Sequence, residues 1–318
     1  LETNLGTETD LAPLVLFVYQ RPQHTKKVLA AIANDPLAKK TVLYVYSDGP
    51  KPSATVTEQE NIAETRKLVE NFKGCKEAHL YFKTQNEGLA KSIINGVSEV
   101  VKKHGKVIVL EDDIVISPLF LTYMNEALGI YERDEQVMHI SSFVPQRKGI
   151  EKLPETYFLR FMSCWGWATW ERAWKQNITD SQALYKKLKN NSLIKKFNID
   201  NTSGMSTILM QNIQKRIDTW DINWYASIFI KNGLCLYPKQ SLCAQIGLDG
   251  SGVHCGLDDL NLYHVTFPSN IKVQRIELSE NAYAFNYLKK FNVYGNLYGL
   301  SAARHYLRSI KAKILKSL

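Results

Sequence analysis

The chain reads as an α/β protein: a mostly parallel sheet flanked by helices, then a second half of different character and a basic helical tail. Three observations carry that reading. Apolar runs alternate with stretches of helical periodicity through the first part of the chain. One of those runs, Val107-Ile108-Val109-Leu110, ends abruptly in three consecutive carboxylates, Glu111, Asp112 and Asp113. All six tryptophans fall later, between Trp165 and Trp224.

In chain order, Leu14 to Tyr19 is an apolar strand, and Thr25 to Ile32 follows with helical spacing. Val42 to Tyr46 is a second strand, closed by the turn signature Ser47-Asp48-Gly49-Pro50. Glu58 to Phe72 forms a helix with Ile62, Leu68, Val69 and Phe72 inward, and His79 to Phe82 a shorter strand. Leu89, Ile93, Val97, Val100 and Val101 mark a helix that Gly105 ends, and the acid-tipped strand comes next. Such β-α-β-α-β-α-β order predicts parallel strands joined by right-handed crossovers, a Rossmann-like nucleotide-binding half. Residues 12–140 are assigned to that half, 141–265 to a second half of different character, and 266–318 to a C-terminal extension.

Composition narrows the function. At 318 residues, with 45% hydrophobic and 22% charged side chains, the chain can bury a large core. No apolar run approaches a membrane span and no secretory signal opens the sequence, so the expectation is a cytoplasmic protein. Five scattered cysteines without a Cys-x-x-Cys pair point to a reducing compartment. The net charge of +9 is concentrated at the end, where Arg304, Arg308, Lys311, Lys313 and Lys316 interleave with Leu307, Ile310, Ile314 and Leu318. That pattern suits a basic amphipathic helix on an anionic membrane surface, or an ordinary solvated terminal helix. No recognised motif supports nucleic acid as a partner. The first strand runs into Gln20-Arg21-Pro22-Gln23 without glycines, which excludes a dinucleotide fingerprint, and no P-loop is present.

In an open α/β sheet, ligands bind outside the carboxyl ends of the strands, where Glu111-Asp112-Asp113 is expected. Three acids there repel one another unless a cation lies among them; the alternative is a polar strand end capping the next helix. Thr219-Trp220-Asp221-Ile222-Asn223-Trp224 places one carboxylate between two indoles, a setting for a general base or for a surface helix cap. The tryptophans as a group build a core, yet indole faces also stack on sugar rings, so Trp165, Trp167 and Trp220 are candidates for carbohydrate contact. Gly247 to His254 is glycine-rich and short of large apolar residues, as in a lid over a ligand. Beyond it, Asn261 to Phe267 and Ile271 to Ile276 read as strands or extended connectors.

Taken in order, these residues resemble metal-dependent nucleotide-sugar glycosyltransferases of the GT-A fold, the group around N-acetylglucosaminyltransferase I and its bacterial polysaccharide-synthesis relatives. The resemblance covers roughly residues 12 to 265. It rests on the apolar strand ending near Arg21, Ser47-Asp48-Gly49, Glu111-Asp112-Asp113, Trp165-Gly166-Trp167 and Trp220-Asp221-x-x-Trp224. It implies that Asp113 is the one direct protein ligand of Mn²⁺ or Mg²⁺ on the donor diphosphate. Glu111 and Asp112 would contact donor sugar and ribose, Asp48 the base, and Arg21 the nucleotide. Asp221 would be the catalytic base, and Ser251 and His254 would belong to the donor-covering loop. Asn86-Glu87-Gly88-Leu89-Ala90-Lys91 follows the bacterial rather than the eukaryotic pattern.

The expected activity is an inverting transfer of a sugar from a nucleotide donor, UDP-linked by analogy, to a glycan or lipid-linked glycan. The expected setting is surface polysaccharide assembly (lipopolysaccharide or capsule) at the inner face of a bacterial membrane. Two other readings remain. A sugar-1-phosphate nucleotidyltransferase would want a glycine-rich loop after the first strand, which Tyr19-Gln20-Arg21-Pro22 does not supply. The other is a degenerate member of the fold that only binds carbohydrate or nucleotide, and the intact acids argue against it.

Overall fold

The computed structural model describes residues 11–250 and 262–293. Ser251, His254 and the basic stretch 294–318 lie outside the described residues.

The alternation folds as predicted. Strand β1 (Leu14–Val18), helix α1 (Pro22–Ala33), β2 (Val42–Ser47), α2 (Val56–Glu70), β3 (Glu77–Phe82), α3 (Leu89–His104) and β4 (Lys106–Glu111) follow one another. Local chemistry sets the ends. Pro22 opens α1 with its backbone already near helical geometry, and Thr55 and Glu58 cap α2 reciprocally. Gly105, at φ 76°, closes α3 in the left-handed region behind a last turn of Lys102, Lys103 and His104.

Next come β5 (Ile114–Ile116), α4 (Phe120–Ile130), β6 (Val137–Ser141), β7 (Thr156–Leu159), β8 (Trp167–Trp170) and a single helical turn α5 (Glu171–Trp174). Three helices, α6 (Ser181–Asn190), α7 (Ile194–Phe197) and α8 (Met205–Ile213), precede α9 (Asp221–Ile230), β9 (Leu234–Pro238) and β10 (Cys243–Gln245). Residues 262–281 contribute no strand beyond a single bridge from Glu280 to Phe158, so the extended-connector reading holds there. A helix covers residues 282–293.

One eight-stranded sheet, ordered β3-β2-β1-β4-β8-β6-β9-β7, spans both assigned halves. Strands β3, β2, β1 and β4 pair in parallel; β8 then runs antiparallel between β4 and β6, and β7 antiparallel to β9. β6 and β9 are again parallel. The assigned boundary at residue 140 therefore falls at the end of a strand inside a continuous sheet.

Side-chain parity decides what faces what. On β4, Val107 and Val109 join the core on one face of the sheet, while Ile108 and Leu110 join the core on the other. Trp167, Trp174, Trp220 and Trp224 pack with Val107 and Val109. Glu111 continues that parity at the strand end, on the face where α9 packs.

Candidate functional site

The carboxyl ends of β1 and β4 lie side by side, with Phe17 paired to Glu111. Arg21, at the start of α1, reaches across this pair. Its Nη2 donates to Asp112 Oδ1 and, at 2.8 Å, to Asp113 Oδ2. The backbone N–H of Tyr19 donates to Asp112 Oδ2 at 3.2 Å. Asp112 and Asp113 are only 4% and 6% exposed, so Arg21 meets two buried carboxylates at once. Burial opposes the charge of Arg21, but the two carboxylates hold its guanidinium even more firmly protonated than usual.

One cation does not balance this cluster. Desolvation first, then the charges of Asp113, Asp112 and Asp221, push the Glu111 carboxyl well above the ordinary range. Asp112 is also raised, chiefly by desolvation, with Arg21 acting against it. Arg21 Nη1, meanwhile, is buried without a hydrogen-bond partner. The site thus combines surplus negative charge with a buried donor left open, the pairing that a cation-bound diphosphate would satisfy.

Behind the acids the chain folds back on itself. β10 pairs antiparallel with β5, and Ile246 N–H donates to Asp113 O at 2.9 Å. Gly247 then passes so close that any Cβ there would strike Asp113 Oδ2 and Arg21 Nη1. His24 on α1 meets this segment through Ile246 O at 3.3 Å and Asp249 at 3.1 Å.

Asp221 opens α9, where the helix N-terminus favours a carboxylate. Thr219 Oγ1 donates to its Oδ1. Its charge is felt at Glu111, which brings the sequence's third motif to the acid cluster.

Asp48 is engaged by the backbone around it. Its carboxylate accepts from the backbone N–H of Gly49, Glu87 and Gly88 at 2.9–3.1 Å, stapling the end of β2 to the entrance of α3. Arg66, which the sequence did not single out, reinforces that staple by donating to Ser47 Oγ, Asp48 O and Lys83 O. Asn86 adds a bond to Gly49 O at 3.0 Å. These are all long-range or loop contacts with no periodic signature in the sequence.

The tryptophan candidates separate. Trp167 is fully buried in β8, stacked on Trp220 at 5.0 Å, and Trp220 is 4% exposed. Neither has a free face for a sugar ring, so the stacking assignment is corrected for both: these indoles are core. Trp165 is partly exposed and packs edge-on against Phe143 and Tyr263.

No protein-family profile and no curated protein sequence matches the chain. Among solved structures it is similar to galactosyltransferase LgtC in complex with donor and acceptor sugar analogs, at 10% identity over 70% of this chain and 72% of that one, with a TM-score of 0.35. An active-site mutant of LgtC gives 10% identity, 68% and 70% coverage, and the same TM-score. Superpositions this loose leave the functional reading to the residues themselves.

Proposed function

We propose that the protein is a metal-dependent GT-A glycosyltransferase that moves a sugar from a nucleotide-diphosphate donor to a glycan with inversion. The observation that carries this is the Glu111-Asp112-Asp113 cluster, under-neutralised by Arg21 at the carboxyl ends of adjacent parallel strands and within electrostatic reach of Asp221.

The residues fit a divalent ion of the Mn²⁺ or Mg²⁺ kind. Asp113 would hold it through a carboxylate oxygen, the kind of donor such hard cations take. When bound, the ion offsets the negative charge that grows on the departing diphosphate. Arg21 offers its open Nη1 to the same diphosphate while its Nη2 keeps Asp112 and Asp113 in place. Glu111 and Asp112 then face the donor sugar and ribose. Asp48 and Arg66 shape the β2 and β3 loops that border the nucleotide.

Asp221 accepts the proton of the acceptor hydroxyl as that oxygen attacks the anomeric carbon. Thr219 fixes the carboxylate rotamer for that task. No second carboxylate is assigned as a covalent nucleophile, so a single in-line displacement is the simplest course, and it inverts the anomeric centre. UDP is the favoured nucleotide by family analogy. A surface-polysaccharide acceptor at the inner membrane face suits the basic tail sequence; among the described residues no helix is long and apolar enough to cross a membrane.

The test is a thermal-shift screen of UDP, GDP, CDP and dTDP with and without Mn²⁺. Ligand at about 100 times its Kd adds about 2.7 kcal/mol of apparent stability. One nucleotide stabilising only with metal, and not in Asp113→Ala, supports the reading. No stabilisation by any of them at millimolar concentration rejects it.

A further inference from the structure

At the start of α9 lies a cleft of about 970 Å³, walled by the start of α3, the 179–181 segment and the loop after α8, with Thr219 and Asn223, the residues two positions either side of Asp221, on its lining. Its rim is basic. Lys91 is offset by Glu87 at 2.9 Å, but Lys215 and Arg216 are exposed and, among the described residues, have no ion-pair partner. Asp218 is the only acid on the lining, so the lining keeps a positive excess.

The two cations are held in register with Asp221 rather than carried on a slack loop. Lys215 N–H donates to Asn212 O and Arg216 N–H to Gln211 O, the double bond that closes a helix with a left-handed residue. Lys215 occupies that left-handed position at φ 54°, where glycine is the unstrained choice. Asn212 then clamps both backbone groups of Thr219, accepting at 3.1 Å and donating at 2.8 Å. Thr219 in turn holds Asp221. The opposite wall is fixed as well, since Asn223 accepts from Ser181 and donates to Thr179 O. A lysine kept in a strained backbone, tied through Asn212 and Thr219 to the proposed base, is a built feature of the cleft.

We propose that this cleft is the acceptor subsite and that its acceptor is acidic: a glycan bearing a carboxylate or a phosphate, which Lys215 and Arg216 hold while a hydroxyl reaches Asp221. The proposal rests on the transferase reading above and adds the acceptor's chemical class to it.

The experiment is calorimetric titration at low ionic strength with two matched ligand pairs. Tetragalacturonate is compared with its full methyl ester, and a phosphorylated maltotetraose with maltotetraose. Wild type and the Lys215→Gln/Arg216→Gln double variant are titrated, each also with UDP and Mn²⁺. Two exposed ion pairs support a preference of about tenfold for the acidic member, screened away by about 0.5 M salt. The double variant should lose that preference to within about twofold, an estimate on the same ion-pair basis, and bind UDP like wild type. Preference confined to the uronate names a carboxylate acceptor, and preference confined to the phosphate names a phosphoglycan. Acidic ligands binding no better than their neutral partners, or a preference that survives in the double variant, overturns the proposal. Failure of every nucleotide of the thermal-shift screen to bind wild type would reject the transferase reading instead, since the cleft's preference is measured without donor.

Discussion

Two polar clusters sit against the same sheet, and they are built on opposite principles. At His139 both ring nitrogens are met: Trp224 Nε1 donates to Nδ1 at 3.2 Å, Nε2 faces Ser163 O at 3.0 Å, and Trp167 stacks on the ring at 5.3 Å. Around Glu111 the charges conflict, three acids and Asp221 sharing one arginine that itself keeps an open nitrogen. A closed network of buried polar groups specifies a fold, whereas an open one costs stability until something else completes it. On the proposed function the first cluster belongs to architecture and the second to a ligand, and four measurements sharpen or break that comparison.

The largest effect is expected at the proposed base. Asp221→Asn should lower turnover about 10²- to 10⁴-fold while leaving donor affinity and melting temperature near wild type. An unchanged rate would move Asp221 from the open cluster to the closed one.

Trp167→Ala should act the other way. It should cost about 3–5 kcal/mol in a denaturant titration through the cavity it leaves, with residual folded protein still binding nucleotide. Sequence reading could not separate these two motifs. An indole in a core and an indole on a sugar look alike in one dimension, and only the position of β8 in the middle of the sheet decides between them. The position of the acid triplet was legible for the opposite reason, because the aliphatic run before it marks a buried parallel strand that ends at Glu111. The first half was legible throughout, since buried parallel strands read as uninterrupted aliphatic runs between turn residues. The second half was not. Its strands are three to five residues long, and the insertion of antiparallel β8 between β4 and β6 is written in no local pattern. The roles of Arg66, Asn212, Thr219 and Gly247 were not legible, because each works through long-range or loop contacts.

A pH titration probes the closed cluster directly. Burial holds the His139 imidazole down to about 3, against 6.5 for an exposed ring. Below pH 6.5 the unfolded chain therefore takes up a proton that the folded chain refuses, and stability falls as pH falls through that window. Between about pH 7.5 and about pH 5 this group should remove about 2 kcal/mol. His139→Gln should lack that share of the loss when urea midpoints at the two pH values are compared; an equal loss would mean that another group carries it.

The smallest effect is expected at Thr219→Val, which keeps the side-chain shape and removes the bond to Asp221. Turnover should drop about fivefold, the equivalent of about 1 kcal/mol for one hydrogen bond, with the pH profile of the rate displaced. A change in donor affinity without a change in rate would detach Thr219 from the base.

The central claim, that the acids at Glu111 to Asp113 form an open cluster awaiting a metal-bound nucleotide, is tested most directly by the unfolding free energies of wild type and Asp113→Asn. Both are measured with and without UDP and Mn²⁺. Without ligand the variant should be as stable as wild type or more so, because a repulsive charge has gone. With ligand in excess, wild type should gain about 2–3 kcal/mol and the variant nothing. A variant that is strongly destabilised when empty, or that gains as much as wild type when ligand is added, would contradict the account.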